Sequence, residues 1–212
     1  MLERVTWPYA DELVCVEGWR FDDGVGPEDL PASDFEPPSS IQSGSRRWIE
    51  WTLGRLAGAQ AATRAGIADP VITVETSGAP RLAGCGLGLS IAHTTGVVLA
   101  AVSHDAIGID VERSDRDVSR LARSLHAGER DLASSIGVVG ALVAKEAVAK
   151  ATGLGLGGSL ARWPVIDAEL NGSEPVVNIA TPDERIVSAR LFPWQDFIVG
   201  IARITSEDTP ST

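Results

Sequence analysis

The run Gly108-Ile109-Asp110-Val111-Glu112 decides how the rest of this sequence is read. Side chains at i and i+2 of a strand share a face. Asp110 and Glu112 therefore project together, with Ile109 and Val111 packed behind them. Adjacent carboxylates repel, so such a pair needs either solvent or a cation. Mg²⁺ is commonly held by one or two carboxylates plus substrate phosphates. The stretch alone reads either as a solvated strand with two acids or as half of a metal site.

A second block, Ala144-Lys145-Glu146-Ala147-Val148-Ala149-Lys150-Ala151-Thr152-Gly153, reads as the end of a helix. Alanine favours helix, and Gly153 is a natural stop. Glu146 and Lys150 lie one turn apart on one face. An isolated Glu–Lys pair is most often a weak surface ion pair. Beside the strand acids it becomes more: three carboxylates and an ammonium, enough to surround one cation and a phosphate.

The chain has 212 residues, 44% hydrophobic and 22% charged, and a formal net charge of −11. That composition fits a soluble globular protein of one large domain or two halves. The negative charge argues against nonspecific nucleic-acid binding. Cys15 and Cys85 are far apart, without metal-ligand spacing, which fits a reducing compartment. The acidic and aromatic N-terminus does not resemble a signal peptide, and no apolar run is long enough to span a membrane. A cytoplasmic location is expected.

Leu13–Val16 reads as a strand, and 21–44, interrupted by Pro27, Pro31, Pro37 and Pro38, as a loop. A helix is expected over 45–64, capped by Ser43 or Ser45. Arg47, Trp51 and Arg55 share one of its faces. This face is either solvated, with arginine stems covering apolar surface, or a guanidinium pair for phosphate. Residues 71–75 read as a strand. Val97–Ser103 and Ile107–Glu112 are expected to form an antiparallel hairpin across His104-Asp105, with His93 just before it. Arg113, Arg116, Arg120 and Arg123 recur at helical spacing, either as a salt-bridged surface or as a docking patch for an acidic partner. Helices are expected at 128–135 and 139–152. Strands are expected at 176–179, 186–191 and 197–204, the last two pairing across 193–196. The run Gly153–Gly158 lacks the spacing of a phosphate loop and reads as a turn. The tail 206–212 is polar and expected to be disordered.

Ser-Ile-Ala-His at 90–93, Gly-Ile-Asp-Val-Glu at 108–112 and the block at 144–153 together resemble the signature blocks of 4′-phosphopantetheinyl transferases. The length resembles the larger two-half type of the surfactin and enterobactin systems, and the helix bearing Arg47 and Arg55 is similar to that of the enterobactin-like branch. The resemblance runs over about 45–160. It implies an α+β fold of two pseudo-symmetric halves, 1–105 and 106–205. Each half would pack a long helix on a small, mostly antiparallel sheet.

The implied reaction transfers the phosphopantetheine arm of coenzyme A to a serine of an apo acyl or peptidyl carrier protein. Adenosine 3′,5′-bisphosphate leaves. The resemblance implies Mg²⁺, with Mn²⁺ as an alternative, on Asp110, Glu112 and Glu146. It places Lys150 on the pyrophosphate and makes Glu146, or less readily Glu129, the base. Coenzyme A contacts fall on Arg47, Arg55, Arg81, His93, Thr94 and Lys150. The carrier would dock near Arg113, Arg116 and Arg120, and the protein would act as a monomer, without nucleic acid or membrane.

Three positions depart from the family pattern. Ala92 stands where Ser often precedes the histidine. Ala79 stands where a Lys or Arg often lies between Gly and Pro, leaving Arg81 as the substitute. Val143 or Ala144 replaces a common aromatic. These departures keep open a second reading, a non-catalytic coenzyme A or carrier-binding module that retains the fold.

Overall fold

The computed structural model describes residues 1–7, 13–119, 125, 127–170 and 174–205. The chain is α+β and divides into two compact units, Met1–His104 and Asp105–Thr212. Arg120, Arg123 and the tail 206–212 lie outside the described residues.

The first unit contains, in chain order, β1 (Leu2–Thr6), β2 (Val14–Phe21), α1 (Arg46–Arg64), β3 (Ile72–Val74), β4 (Pro80–Leu82), β5 (Gly88–Thr94) and β6 (Val97–Ser103). Four strands form an antiparallel sheet in the order β1-β2-β6-β5, while β3 and β4 pair separately. β6 is apolar almost throughout and wholly buried, as a central strand must be. α1 begins at Ser45, whose hydroxyl accepts the Trp48 N–H at 3.2 Å. Leu53, Ala57 and Ala61 bury its inner face in the core with Val98, Ala100 and Val102. Glu17 on β2 is buried, but Arg4, Thr6 and Arg64 all donate to it, so the charge is satisfied.

The second unit contains β7 (Ala106–Arg113), α2 (Ala127–Ala151), β8 (Val165–Glu169), β9 (Val176–Ala180), β10 (Ile186–Trp194) and β11 (Phe197–Ile204). The sheet runs β7-β11-β10-β9-β8, antiparallel throughout. α2 is broken at Gly137, whose φ of 76° and ψ of 153° are non-helical. The two helices expected from the sequence are its two segments. Ala144, Ala147, Val148 and Ala151 pack into the core with Ile179, Ala189 and Ala202. Pro193 is accommodated because the register of β10 with β9 ends at Arg190, three residues before it.

One expected pairing is corrected. β6 and β7 do not form a hairpin: β6 pairs on its two edges with β2 and β5, and β7 pairs with β11. Both edges of β6 are taken, so the chain leaves the first sheet at Ser103 and begins the second at Ala106. The hairpin that does form joins β5 to β6 across Thr95-Gly96, with Gly96 at φ 85°. The sequence reading has no strand at β1, β4, β5 or β8.

Candidate functional site

β7 carries Asp110 and Glu112 on one face, each 9% exposed. α2 lies directly against this strand because residue 108 is glycine. A Cβ there would stand 1.9 Å from the Ala147 carbonyl oxygen and 2.6 Å from the Ala151 nitrogen. The close approach delivers Lys150. Its ammonium donates to Asp110 Oδ1 at 2.8 Å and to the Ile109 carbonyl at 2.9 Å. Glu112 accepts the Arg113 backbone N–H at 2.8 Å on one oxygen and the Arg116 guanidinium on the other.

Burial pushes the Asp110 carboxyl above its ordinary value; Lys150 opposes the shift and Glu112 adds to it. Glu146, one turn before Lys150, is likewise pushed up, first by burial and then by the Asp110 charge, against the pull of Lys150 and Arg116. The three acids thus share one field. They offer the hard oxygen donors that suit a divalent cation, and a cation would offset their repulsion. Among the described residues, however, no three His, Cys, Asp or Glu side chains converge closely enough to hold a metal. Lys150 and Arg116 neutralise Asp110 and Glu112 instead.

The first unit carries a cationic counterpart. A cavity of about 340 Å³ is lined by Arg47, Glu50, Trp51, Arg55, Ile91 and His93, among others. The helical spacing of Arg47, Trp51 and Arg55 puts them on one face of α1, and β5 presents His93 to it. Arg47 Nη1 stands 2.5 Å from His93 Nε2. The Arg55 guanidinium stacks over the Trp51 ring at 4.1 Å, and its buried Nε has no hydrogen-bond partner. Burial, with the Arg47 charge adding to it, pulls the Arg55 pKa down to about 10. A buried guanidinium that is stacked and held beside a second one is suited to an anion.

Other expected site residues fall elsewhere. Arg81 is exposed, pairs with Glu75 at 3.4 Å, and does not line the cavity; nor does Thr94. Arg113 is bound to Asp115 at 2.8 and 2.9 Å, so the described arginines of the expected patch are already ion-paired within the chain. Glu129 is buried, 2.6 Å from the equally buried Lys145 ammonium, and accepts the Val165 N–H at 2.6 Å. It joins the first segment of α2 to the second and to the start of β8. A larger depression of about 530 Å³, lined by Arg4, Gln60, Thr63 and Asp69 with apolar neighbours, contains none of these residues.

Two residues escaped the sequence reading. Glu50 lies in the cationic cavity, signalled only by its helical spacing from Arg46 and Arg47. Lys145 stands in the helical block at 144–153, but its burial against Glu129 depends on tertiary packing.

No helix among the described residues is long and apolar enough to cross a membrane. No curated protein matches the chain. The model of the 4′-phosphopantetheinyl transferase N-terminal domain matches residues 39–103, the stretch that holds α1 and the cationic cavity's arginines and histidine. The model of the 4′-phosphopantetheinyl transferase superfamily matches residues 106–202, from β7 with its acids through α2 to β11. With both signature halves matched in order, the chain belongs to the 4′-phosphopantetheinyl transferase superfamily and is an enzyme of that kind.

Proposed function

We propose that this transferase moves the 4′-phosphopantetheine arm of coenzyme A to a serine of an apo acyl or peptidyl carrier protein, in a Mg²⁺-dependent reaction. The observation that carries the reading is the acid–lysine cluster: Asp110 and Glu112 on β7, with Glu146 and Lys150 one turn apart on the helix against it. In the reaction, the carrier serine oxygen attacks the phosphorus that bears pantetheine. The bond from that phosphorus to the bridging oxygen breaks, and adenosine 3′,5′-bisphosphate departs.

Asp110, Glu112 and Glu146 are the residues that would hold the divalent cation. When bound, it supplies Lewis acidity and neutralises phosphate charge. Lys150 supplies a mobile positive charge from the Asp110 side to the pyrophosphate and the leaving group. Glu146 accepts the serine proton. Its burial beside Asp110 raises its proton affinity, which favours that role. Glu129 is the weaker candidate, because both its burial and its Lys145 partner commit it to the fold. In the first unit, Arg47, Arg55 and His93 take the 3′-phosphate end of coenzyme A, with Arg81 and Thr94 as outer contacts.

The two matched halves on one chain favour the larger, monomeric type, and the free Cys15 and Cys85 accord with a reducing, cytoplasmic compartment. The carrier docks near Arg113 and Arg116, where the internal ion pairs exchange for its acids. Mn²⁺ would serve the same oxygen donors. The non-catalytic module reading loses ground, because the acid–lysine set is intact.

Intact-mass spectrometry tests the proposal. Purified protein is mixed with coenzyme A, Mg²⁺ and a panel of apo carriers, with a chelator control. A phosphopantetheine mass gain that disappears with chelator is expected. Absence of any gain, from protein that binds coenzyme A, would reject transfer to those carriers.

A further inference from the structure

Glu50 is a carboxylate lining a cavity otherwise built for an anion, and charge alone would make it counterproductive there. Its side chain is 12% exposed, and both oxygens are engaged. Arg46 Nε donates to Oε1 at 3.2 Å, and Arg46 is itself paired with Asp23 and stacked over the Phe21 ring at 5.1 Å. Oε2 stands 3.3 Å from His93 Nδ1. The opposite ring nitrogen, Nε2, faces Arg47.

These contacts determine the state of the ring. A guanidinium has donors and no acceptor, so His93 Nε2 must be the accepting nitrogen against Arg47. The ring proton then sits on Nδ1, directed at Glu50. On protonation the imidazolium would donate from both nitrogens: Nδ1 to Glu50, and Nε2 to an incoming phosphate oxygen that displaces Arg47 from it. A carboxylate behind a histidine fixes tautomer and ring orientation in this way at other sites where histidine binds a ligand.

We propose that Glu50 is a positioning residue: by holding His93 Nδ1–H, it aims Nε2 into the cavity for the phosphate of a phosphorylated nucleotide. The role rests on the reading that coenzyme A binds through His93. Glu50 acts through that ring, so its removal weakens substrate binding and leaves the transfer step alone.

The chain has three histidines, so the His93 imidazole can be followed in long-range ¹H–¹⁵N spectra. The unliganded protein should show the Nδ1–H tautomer above the pH at which the ring titrates. Glu50→Ala should shift His93 toward Nε2–H and raise KM for coenzyme A roughly tenfold, with kcat within about twofold. Glu50→Gln, whose amide oxygen still accepts, should keep the tautomer and rescue most of the KM. In a His93→Ala background, Glu50→Ala should add nothing. An unmoved tautomer in folded Glu50→Ala, or the same KM penalty without His93, would overturn the proposal. If Glu50→Ala does not fold, Glu50→Asp draws the carboxylate back from Nδ1 and gives the same tautomer test with the same two outcomes. A tautomer shift in a protein that transfers nothing would leave the positioning role standing and remove the transferase reading.

Discussion

The two units solve the same packing problem and gather side chains of opposite sign into one cluster each. In each, one helix covers an antiparallel sheet. The first collects Arg47, Arg55 and His93 around a cavity, and burial with a neighbouring guanidinium depresses the Arg55 pKa to about 10. The second collects Asp110, Glu112 and Glu146, and burial with neighbouring carboxylates raises Asp110 and Glu146 above their ordinary values. Either cluster alone is unfavourable to the fold. Under the proposed function, each becomes favourable when its own ligand of opposite sign arrives. On that proposal, the difference between the halves is a division of labour in electrostatics: the first cluster for the anion, the second for the cation.

The contrast breaks most sharply at Asp110. Asp110→Asn removes the proposed cation ligand and the observed partner of Lys150, and should lower kcat on the order of a hundredfold or more, read by mass transfer to a carrier. It should not lower the thermal stability of the chelated protein, because the native site disfavours the charge it removes. Activity near wild type would sink the assigned site.

The packing beneath the two clusters also differs. A Cβ at Gly108 meets backbone atoms of α2, whereas a Cβ at Gly54 of α1 first meets Ile91 Cγ2 at 3.0 Å, a side chain that can give way. Gly108→Ala should cost roughly 1–3 kcal/mol or more in denaturant unfolding, and Gly54→Ala clearly less. Equal costs would show that the α2–β7 approach is no tighter than its counterpart.

The smallest effect is in pH. With chelator present, the raised carboxyls favour folding fully below their unfolded pKa values, near 3.8 for Asp and 4.5 for Glu. That contribution is lost as pH rises through their higher native values. The melting-temperature difference between wild type and Asp110→Asn/Glu146→Gln should therefore move against wild type over that interval. A constant difference would show that the acids are not held in repulsion.

Both clusters were legible in the sequence because their members recur at the strand period of two or at helical spacing. Asp110 with Glu112, Glu146 with Lys150, and Arg47 with Arg55 needed only local geometry. What failed was non-local. The short link at His104-Asp105 looks like a hairpin turn, yet only the filled edges of β6 reveal that the next strand must begin another sheet. β5 went unread as a strand because Ser90 and His93 interrupt its apolar character, although its pairing with β6 places His93 at the cavity. Glu129 falls where the family resemblance implies an acid, and its burial against Lys145 follows from the break at Gly137 and the packing of β8. Glu50 is visible to the sequence as an ordinary helix acid; its proximity to His93 is a contact between elements 43 positions apart in sequence.

The most direct measurement separates the two signs by calorimetry on wild type, Asp110→Asn and Arg55→Gln. Mg²⁺ alone and adenosine 3′,5′-bisphosphate without metal are titrated into each. The expected result is a crossed pattern: Asp110→Asn loses Mg²⁺ binding and keeps the nucleotide, while Arg55→Gln keeps Mg²⁺ and binds the nucleotide roughly tenfold more weakly. Loss of both ligands in either folded variant, or of neither in both, would contradict the division of charge between the halves.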